Sequence, residues 1–381
     1  MKVAFLTTYD TSDPHAWSGS ARYILRALRA SNLETEVIDK LSAGRALTFY
    51  QRVKTVAYRR LLARTYQRER APSVARRYAH HAERCLRCAD CDVVFSPGTL
   101  PIACLESDKP IAFWTDACFA GMLGFYPNFS NFCAETVRTG NRLEQQALTR
   151  ASVAIYSSEW AAATALRHYD VDPAKVKVVP FGANVDCARG SADIEHIARA
   201  RRGDVCRLLL VGVDWERKGG DTALAVASLL NRQGIATELH VVGCQPPFEP
   251  PPFVKLHGFI SKASEAGRHQ FDALMSGAHF LIVPSRAECF GVVFAEASSF
   301  GLPSLATRTG GVCTVVRDGR NGMTFDLDAD PQAYCDYIGA LMSEPAAYMR
   351  LCQTSYGEYA QRLNWGAAGR RVRALLQASC H

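Results

Sequence analysis

The sequence predicts an α/β protein of two domains, each built on a doubly wound parallel sheet. Three observations lead there. The chain has 381 residues, more than one hydrophobic core usually supports. Short apolar runs alternate with helical patterns along its whole length, as βαβ units require. A composition shift divides it, because residues 186–205 are polar and charged while 206–213 are very apolar. A hydrophobic share of 48% and a charged share of 21% are those of an ordinary folded chain, which excludes disorder as the main state.

The first half offers strand candidates at residues 3–7, 35–38, 93–96, 111–114, 153–156 and 176–179. The second half offers 207–212, 238–243, 254–257, 280–283 and 303–306. The expected domains are therefore 1–185 and 206–360, with 186–205 as linker and 361–381 as a terminal helix. The apolar run at the N-terminus is too short for the core of a signal peptide. No stretch approaches the ~18 apolar residues of a membrane-spanning helix. The expectation is a cytoplasmic protein, with peripheral contact to the inner face of a membrane as a further option.

The net charge is +7. A basic excess of that size suits phosphorylated ligands, an anionic membrane or nucleic acid equally, so its distribution matters. Residues 52–77 hold Arg52, Lys54, Arg59, Arg60, Arg64, Arg68, Arg70, Arg76 and Arg77 against a single acid, Glu69. Val56, Tyr58, Leu61, Leu62 and Tyr66 are interleaved at helical spacing. A basic amphipathic helix of this kind suits an anionic membrane surface. The commoner arrangement is a solvated helix whose apolar stripe packs on its own domain. No nucleic-acid motif accompanies the charges, so nucleic acid is not an expected partner. Cys85, Cys88 and Cys91 have a spacing found in iron–sulfur sites, but no fourth cysteine with proline follows, and unligated thiols are expected.

Two segments carry chemistry. The first runs from Pro284 through Ser285, Arg286, Ala287, Glu288, Cys289, Phe290, Gly291 and Val292 to Glu296. It leaves the C-terminal end of a strand, the edge where open α/β sheets bind ligands. A helix then starts near Gly291 and stops at Gly301-Leu302-Pro303. Glu296 is the only charge in that apolar helix and needs a partner. Hydroxyls of a ligand would supply one, and so would a buried arginine of the scaffold. The helix N-terminus offers N–H groups and a positive dipole end to an anion. The second segment, Trp215-Glu216-Arg217-Lys218-Gly219-Gly220, also follows a strand and opens a helix. Its glycines allow close approach of a ligand, and Arg217 and Lys218 can neutralise a diphosphate. Alone, it reads equally well as a surface turn.

Together these residues resemble the family 4 retaining glycosyltransferases of the GT-B fold. Glu288 and Glu296 match that family's E-x7-E element, Arg217-Lys218-Gly219 its Arg-Lys-Gly turn, and Asp318-Gly319-Arg320-Asn321-Gly322 its later Asp-Gly-x-x-Gly stretch. The resemblance implies two Rossmann-like, doubly wound domains facing across a cleft, with the last helix, around Trp365, returning to the first domain. It implies that Glu296 holds ribose hydroxyls and Glu288 sugar hydroxyls. Phe290, Gly291 and Val292, with Ser285, would contact sugar or phosphate, and Gly258, Phe259 and Ile260 would hold the base. Arg217 and Lys218 would stabilise the leaving diphosphate. On the acceptor side it points to the loop Ser18-Gly19-Ser20, which otherwise reads as a capped strand-to-helix loop. Asp116 follows the strand 111–114 and is a candidate for sugar contact or, equally, a helix cap. Two departures stand out. Val213 occupies a position where the family often has arginine, and Gly310-Gly311 precede Val312-Cys313-Thr314 rather than Pro-Glu.

The implied reaction moves a sugar from a UDP- or GDP-sugar to the hydroxyl of a glycan or lipid-linked acceptor, in surface polysaccharide or glycolipid biosynthesis. Fixed cations and a helix N-terminus would stabilise the departing diphosphate. No Asp-x-Asp element sits at a strand end in a metal-binding context, so neither a metal nor a cofactor is expected. Retention of configuration rests on the resemblance alone. A GT-B sugar-nucleotide epimerase and a non-catalytic nucleotide-sugar-binding protein are the alternatives.

Overall fold

The computed structural model describes residues 1–381 apart from Ser12, Pro14, His15, Arg202, Gly203 and His381, and describes Ala16 and Ser18 by their backbone only. The chain divides into two compact units, residues 1–180 with 368–381, and residues 181–367.

The first unit holds β1 (Lys2–Leu6), β2 (Glu34–Ile38), β3 (Val93–Ser96), β4 (Ile111–Thr115), β5 (Val153–Tyr156) and β6 (Val176–Val178). They form one parallel sheet in the order β2-β1-β3-β4-β5-β6. β3, β4 and β5 are buried at every position, as strands covered by helices on both faces must be. β2, an edge strand, exposes alternate residues. The winding reverses between β1 and β3, which makes the C-terminal edge there the place for a ligand.

The second unit holds β7 (Cys206–Val211), β8 (Thr237–Val242), β9 (Val254–Leu256), β10 (Phe280–Val283), β11 (Ser304–Thr307) and β12 (Gly322–Phe325). Its parallel sheet runs β9-β8-β7-β10-β11-β12. Numbered within the unit, this is the Rossmann order 3-2-1-4-5-6, with its switch point between β7 and β10. Both segments singled out in the sequence leave these two strands.

All eleven expected strands are present, and the twelfth, β12, was not foreseen. It is a short edge strand that opens on Gly322, whose φ is +154° and whose added Cβ would meet the Ser304 carbonyl oxygen at 1.9 Å. Glycine weakens the strand signal just where close backbone approach demands it.

The segment 186–205, expected as a linker, carries the helix Ser191–Ala200 and lies within the second unit. Arg201 explains why. It is fully buried, and its guanidinium donates to the carbonyls of Met275, Ser276, Phe300 and Gly301 at 2.9–3.2 Å. Composition cannot distinguish such an arginine, which binds the ends of two neighbouring segments, from a solvated one. Phe181 to Asn184 also belong to this unit, where the Ala183 N–H donates to the Leu363 carbonyl (3.0 Å) and the Trp365 indole to Asn184 Oδ1 (3.0 Å). The terminal helix Trp365–Ser379 sets its later turns in the first unit, where Arg373 donates to the Ser31 carbonyl (3.1 Å).

The basic region 52–77 is not one surface. It is divided among the helix Arg45–Leu62, a short turn Arg68–Arg70 and the helix Pro72–Leu86. Arg70 leaves the surface altogether. It reaches Glu144, which is 1% exposed, at 3.5 Å and lies 4.0 Å over the ring of Phe119. No helix among the described residues is long and apolar enough to cross a membrane.

Candidate active site

At the switch point of the second sheet, two loops are locked together. The loop after β7 closes on itself first. Asp214 accepts from the Arg217 N–H through Oδ1 (3.0 Å) and from the Lys218 N–H through its carbonyl (3.0 Å). The Trp215 indole donates to Asp221 Oδ1 (2.8 Å), pinning the loop to the helix Gly220–Arg232. Gly219 then brings this loop onto the one after β10. Its φ is +73°, and an added Cβ would meet the Pro284 carbonyl oxygen at 2.1 Å, so only glycine fits. The Arg286 N–H donates to the Arg217 carbonyl (2.8 Å).

This locking sets Arg217, Lys218 and Glu288 side by side. Lys218 Nζ donates to Glu288 Oε2, and both side chains are about nine-tenths buried. Arg217 Nη1 is 3.6 Å from the same carboxylate oxygen and donates to the Ala287 carbonyl (3.2 Å). Glu288 is held in turn through its own carbonyl, which accepts from the Gly311 N–H (3.0 Å). The Arg-Lys-Gly turn is thus no surface turn. It carries two cations beside one buried carboxylate, with Asp214 half-exposed on the outer side.

The helix that follows runs Val292–Ser298, from an N-cap at Gly291 (φ +82°) with no side chain capping its N–H groups. The Phe294 N–H donates to the Gly291 carbonyl (3.0 Å), and no side chain competes with an outside acceptor for the first turn. Phe290 is buried against Phe181, with ring centroids 5.4 Å apart, so it acts as a side-chain anchor for the loop. Ser285 is fully buried; its carbonyl accepts from Thr307 Oγ1, and its hydroxyl has no hydrogen-bond partner.

Glu296 is 4% exposed, and its partner is not a buried arginine. Lys262 Nζ, one-third exposed, donates to Oε1. Lys262 lies in the loop after β9, the same loop as Gly258, Phe259 and Ile260. Gly258 has φ +65°, and its carbonyl accepts from the Gly243 N–H (2.8 Å), while Phe259 is 66% exposed. His240 and His257 stack beside it with ring nitrogens 2.9 Å apart, and burial lowers the pKa of both.

In the first unit, Asp116 is not the N-cap of the helix that follows it. The short helix after β4 has its N-cap at Cys118, and Asp116 Oδ2 accepts from the Trp17 indole (3.3 Å). Trp17 has φ +49° and stacks on Tyr9 at 5.8 Å. Burial, with help from Asp116, pushes the Tyr9 hydroxyl up to about 12. Gly19, with φ +81°, starts the helix Ser20–Ala30, and Ser20 is buried. The loops after β1 and β4 are therefore joined at one edge of the sheet. The Ser18 side chain lies outside the described residues.

Residues 205–344 match the family of glycosyl transferases group 1. The matched stretch contains Arg217, Lys218, Glu288 and Glu296. Among curated proteins, D-inositol 3-phosphate glycosyltransferase of Streptomyces scabiei is 31% identical over 254 residues, covering 62% of this chain and 56% of that protein. The same enzyme of Frankia alni is 31% identical over 220 residues, covering 54% and 53%. The chain thus spans about half the length of the curated relatives it matches. Among solved structures, sucrose-phosphate synthase of Thermosynechococcus elongatus superposes with a TM-score of 0.69 at 19% identity, covering 99% of this chain and 98% of that one. HepE of Anabaena in complex with UDP superposes with a TM-score of 0.65 at 17% identity, covering 99% and 100%. At these identities the likeness is one of fold. The expected class, GT-B with two Rossmann-like domains, is the fold of the protein.

Sequence reading missed Lys262. A lone lysine in a polar loop carries no pattern, and only folding brings it to a carboxylate 34 residues away. The Asp-Gly-x-x-Gly stretch turns out to be scaffold. Asp318 accepts from the Thr324 N–H (2.6 Å), and buried Asn321 ties Ser298 Oγ (3.1 Å) to the Val315 carbonyl (2.9 Å).

Proposed function

We propose that this chain is a retaining glycosyltransferase that moves a sugar from a UDP- or GDP-sugar to an acceptor hydroxyl in surface polysaccharide or glycolipid biosynthesis. The observation that carries the reading is the convergence of Arg217, Lys218 and Glu288 at the switch point of a Rossmann sheet, in the stretch that matches the group 1 family.

Each residue has work to do in that reaction. The diphosphate sits against the uncapped N-terminus at Gly291 and Val292, with Arg217 and Lys218 taking up charge as the bond from sugar to phosphate breaks. Glu288, already oriented by its lysine, accepts from hydroxyls of the sugar. Glu296 binds the ribose diol, which competes with or joins Lys262, and the base rests by Phe259. The acceptor oxygen attacks the anomeric carbon on the face the phosphate leaves, and its proton passes to a phosphate oxygen. Configuration is then retained. Within the first unit, Gly19, Ser20 and Asp116 are the candidates for acceptor contact. The positive charge comes from Arg217 and Lys218, so the reaction needs no metal.

The test is release of nucleoside diphosphate from a panel of UDP- and GDP-sugars, with and without a chelator, using D-inositol 3-phosphate as the first acceptor because the curated relatives bear its name. Acceptor-stimulated release that survives the chelator, with a product anomer like the donor's by proton NMR, is expected. An inverted product would overturn retention, and acceptor-independent conversion to an epimeric sugar would favour the epimerase.

A further inference from the structure

The helix Arg45–Leu62 turns an apolar face away from the protein. Its inner side holds Gln51, Lys54 and Tyr58 beside Leu47. Gln51 is buried and hydrogen-bonded to Tyr66 OH (2.9 Å) and Ser73 Oγ (3.2 Å). Lys54 pairs with Glu135 (2.5 Å), and Tyr58 OH donates to the same carboxylate (2.8 Å). Phe49, Val53 and Val56, at i, i+4 and i+7, fall on the opposite side and share one face. That face is open to solvent, with Phe49 70% exposed, and Leu61 at the end of the helix is 81% exposed. The usual arrangement, in which apolar residues serve the core of their own domain, holds for Leu47 and Tyr58 but not for this outer face.

Charge says what covers this face. Arg45, Arg52, Arg59, Arg60 and Arg64 are exposed along and just beyond the same helix, which contains no acid. We infer that this helix docks the protein on an anionic lipid surface. It would lie in the plane of the interface, with Phe49, Val53 and Val56 sunk ~5–10 Å to the boundary of headgroups and acyl chains. The arginines would stay at the level of the lipid phosphates. A second copy of the chain is the poorer occupant, since two such helices would set five arginines against five. Nucleic acid would use the arginines and leave the apolar stripe in water. The docking is independent of the transferase reading, because none of these residues takes part in donor binding.

Co-sedimentation with phosphatidylcholine vesicles, with and without phosphatidylglycerol, tests it. Binding is expected only to the anionic vesicles, weakening as salt is raised. At about 5-fold per charge, Arg52→Glu with Arg59→Glu and Arg60→Glu should lose on the order of 100-fold or more. Phe49→Ser with Val53→Ser should lose binding while keeping all the charge. Because every substituted residue is exposed, both variants should keep the wild-type circular dichroism and melting temperature. Failure of the wild type to bind anionic vesicles would overturn the docking. So would unchanged binding by either variant, or a dimer seen in analytical ultracentrifugation that Phe49→Ser with Val53→Ser abolishes.

Discussion

Lys218 illustrates how a single side chain serves both the fold and the proposed chemistry. Its stem lies against Gly212, where an added Cβ would meet Lys218 Cγ at 2.5 Å, and its ammonium holds Glu288. Lys218→Ala should lower kcat about 10²–10³-fold, the usual effect of removing one fixed donor from a developing charge. Arg217, 3.6 Å from Glu288, keeps the carboxylate company, so the variant should still fold. An unchanged kcat in a folded variant would remove Lys218 from the chemistry. His279 offers a separate test, far from any role in turnover. It is buried, its Nδ1 accepts from the Arg207 N–H (3.0 Å), and burial pulls its pKa from 6.5 down to about 4. The unfolded chain takes up that proton near pH 6.5 and the folded chain only near 4. This contribution to stability is therefore complete above about pH 6.5 and is lost, by ~3 kcal/mol, as the pH falls towards about 4. Urea titrations across that range should show the loss in the wild type and a flatter profile in His279→Asn, which keeps an acceptor for Arg207. Parallel profiles would contradict it.

Among the elements, the strand-end loops do most to make the site, and their demands on sequence are uneven. Gly219 and Gly234 both have positive φ, but only Gly219 has a neighbour in the way, the Pro284 carbonyl. Gly234→Ala should cost about 1–2 kcal/mol of stability from backbone strain alone and leave nucleotide affinity intact. Gly219→Ala should push the two loops apart and weaken nucleotide affinity at least about 10-fold, since cations and helix terminus no longer share a ligand. Equal affinity in the two variants by calorimetry would show that the loop contact is incidental. The same unevenness governs what the sequence reveals. A buried parallel strand such as β10 is apolar at every position and can be read directly. So can Glu296, the one charge in its apolar helix, whereas Glu288, two residues from Arg286, is read from its E-x7-E spacing. β12 opens on a glycine that packing requires, Arg201 looks like any surface arginine until four carbonyls surround it, and Lys262 meets Glu296 only through the tertiary fold. The helix Arg45–Leu62 misleads for a related reason. Its spacing is amphipathic, but spacing does not say which face turns inward, and here hydrogen bonds to Gln51 and Glu135 turn the polar one.

At the scale of the molecule, each unit has a parallel sheet with its switch point at the C-terminal edge. The second unit carries every residue assigned to the donor, and the first carries the joined loops at Gly19 and Asp116 and the outward helix. The central claim is that the second unit binds a nucleoside diphosphate through the cations Arg217 and Lys218 after β7, the helix terminus after β10 and the carboxylate of Glu296. Thermal melting of the full chain with UDP, GDP and their sugars tests it most directly, in the wild type and in Glu296→Ala. A diphosphate present at about 100 times its dissociation constant adds ~2.7 kcal/mol to stability. One base should give that stabilisation, and Glu296→Ala should diminish it. A folded protein that none of these ligands stabilises would contradict the account at its centre.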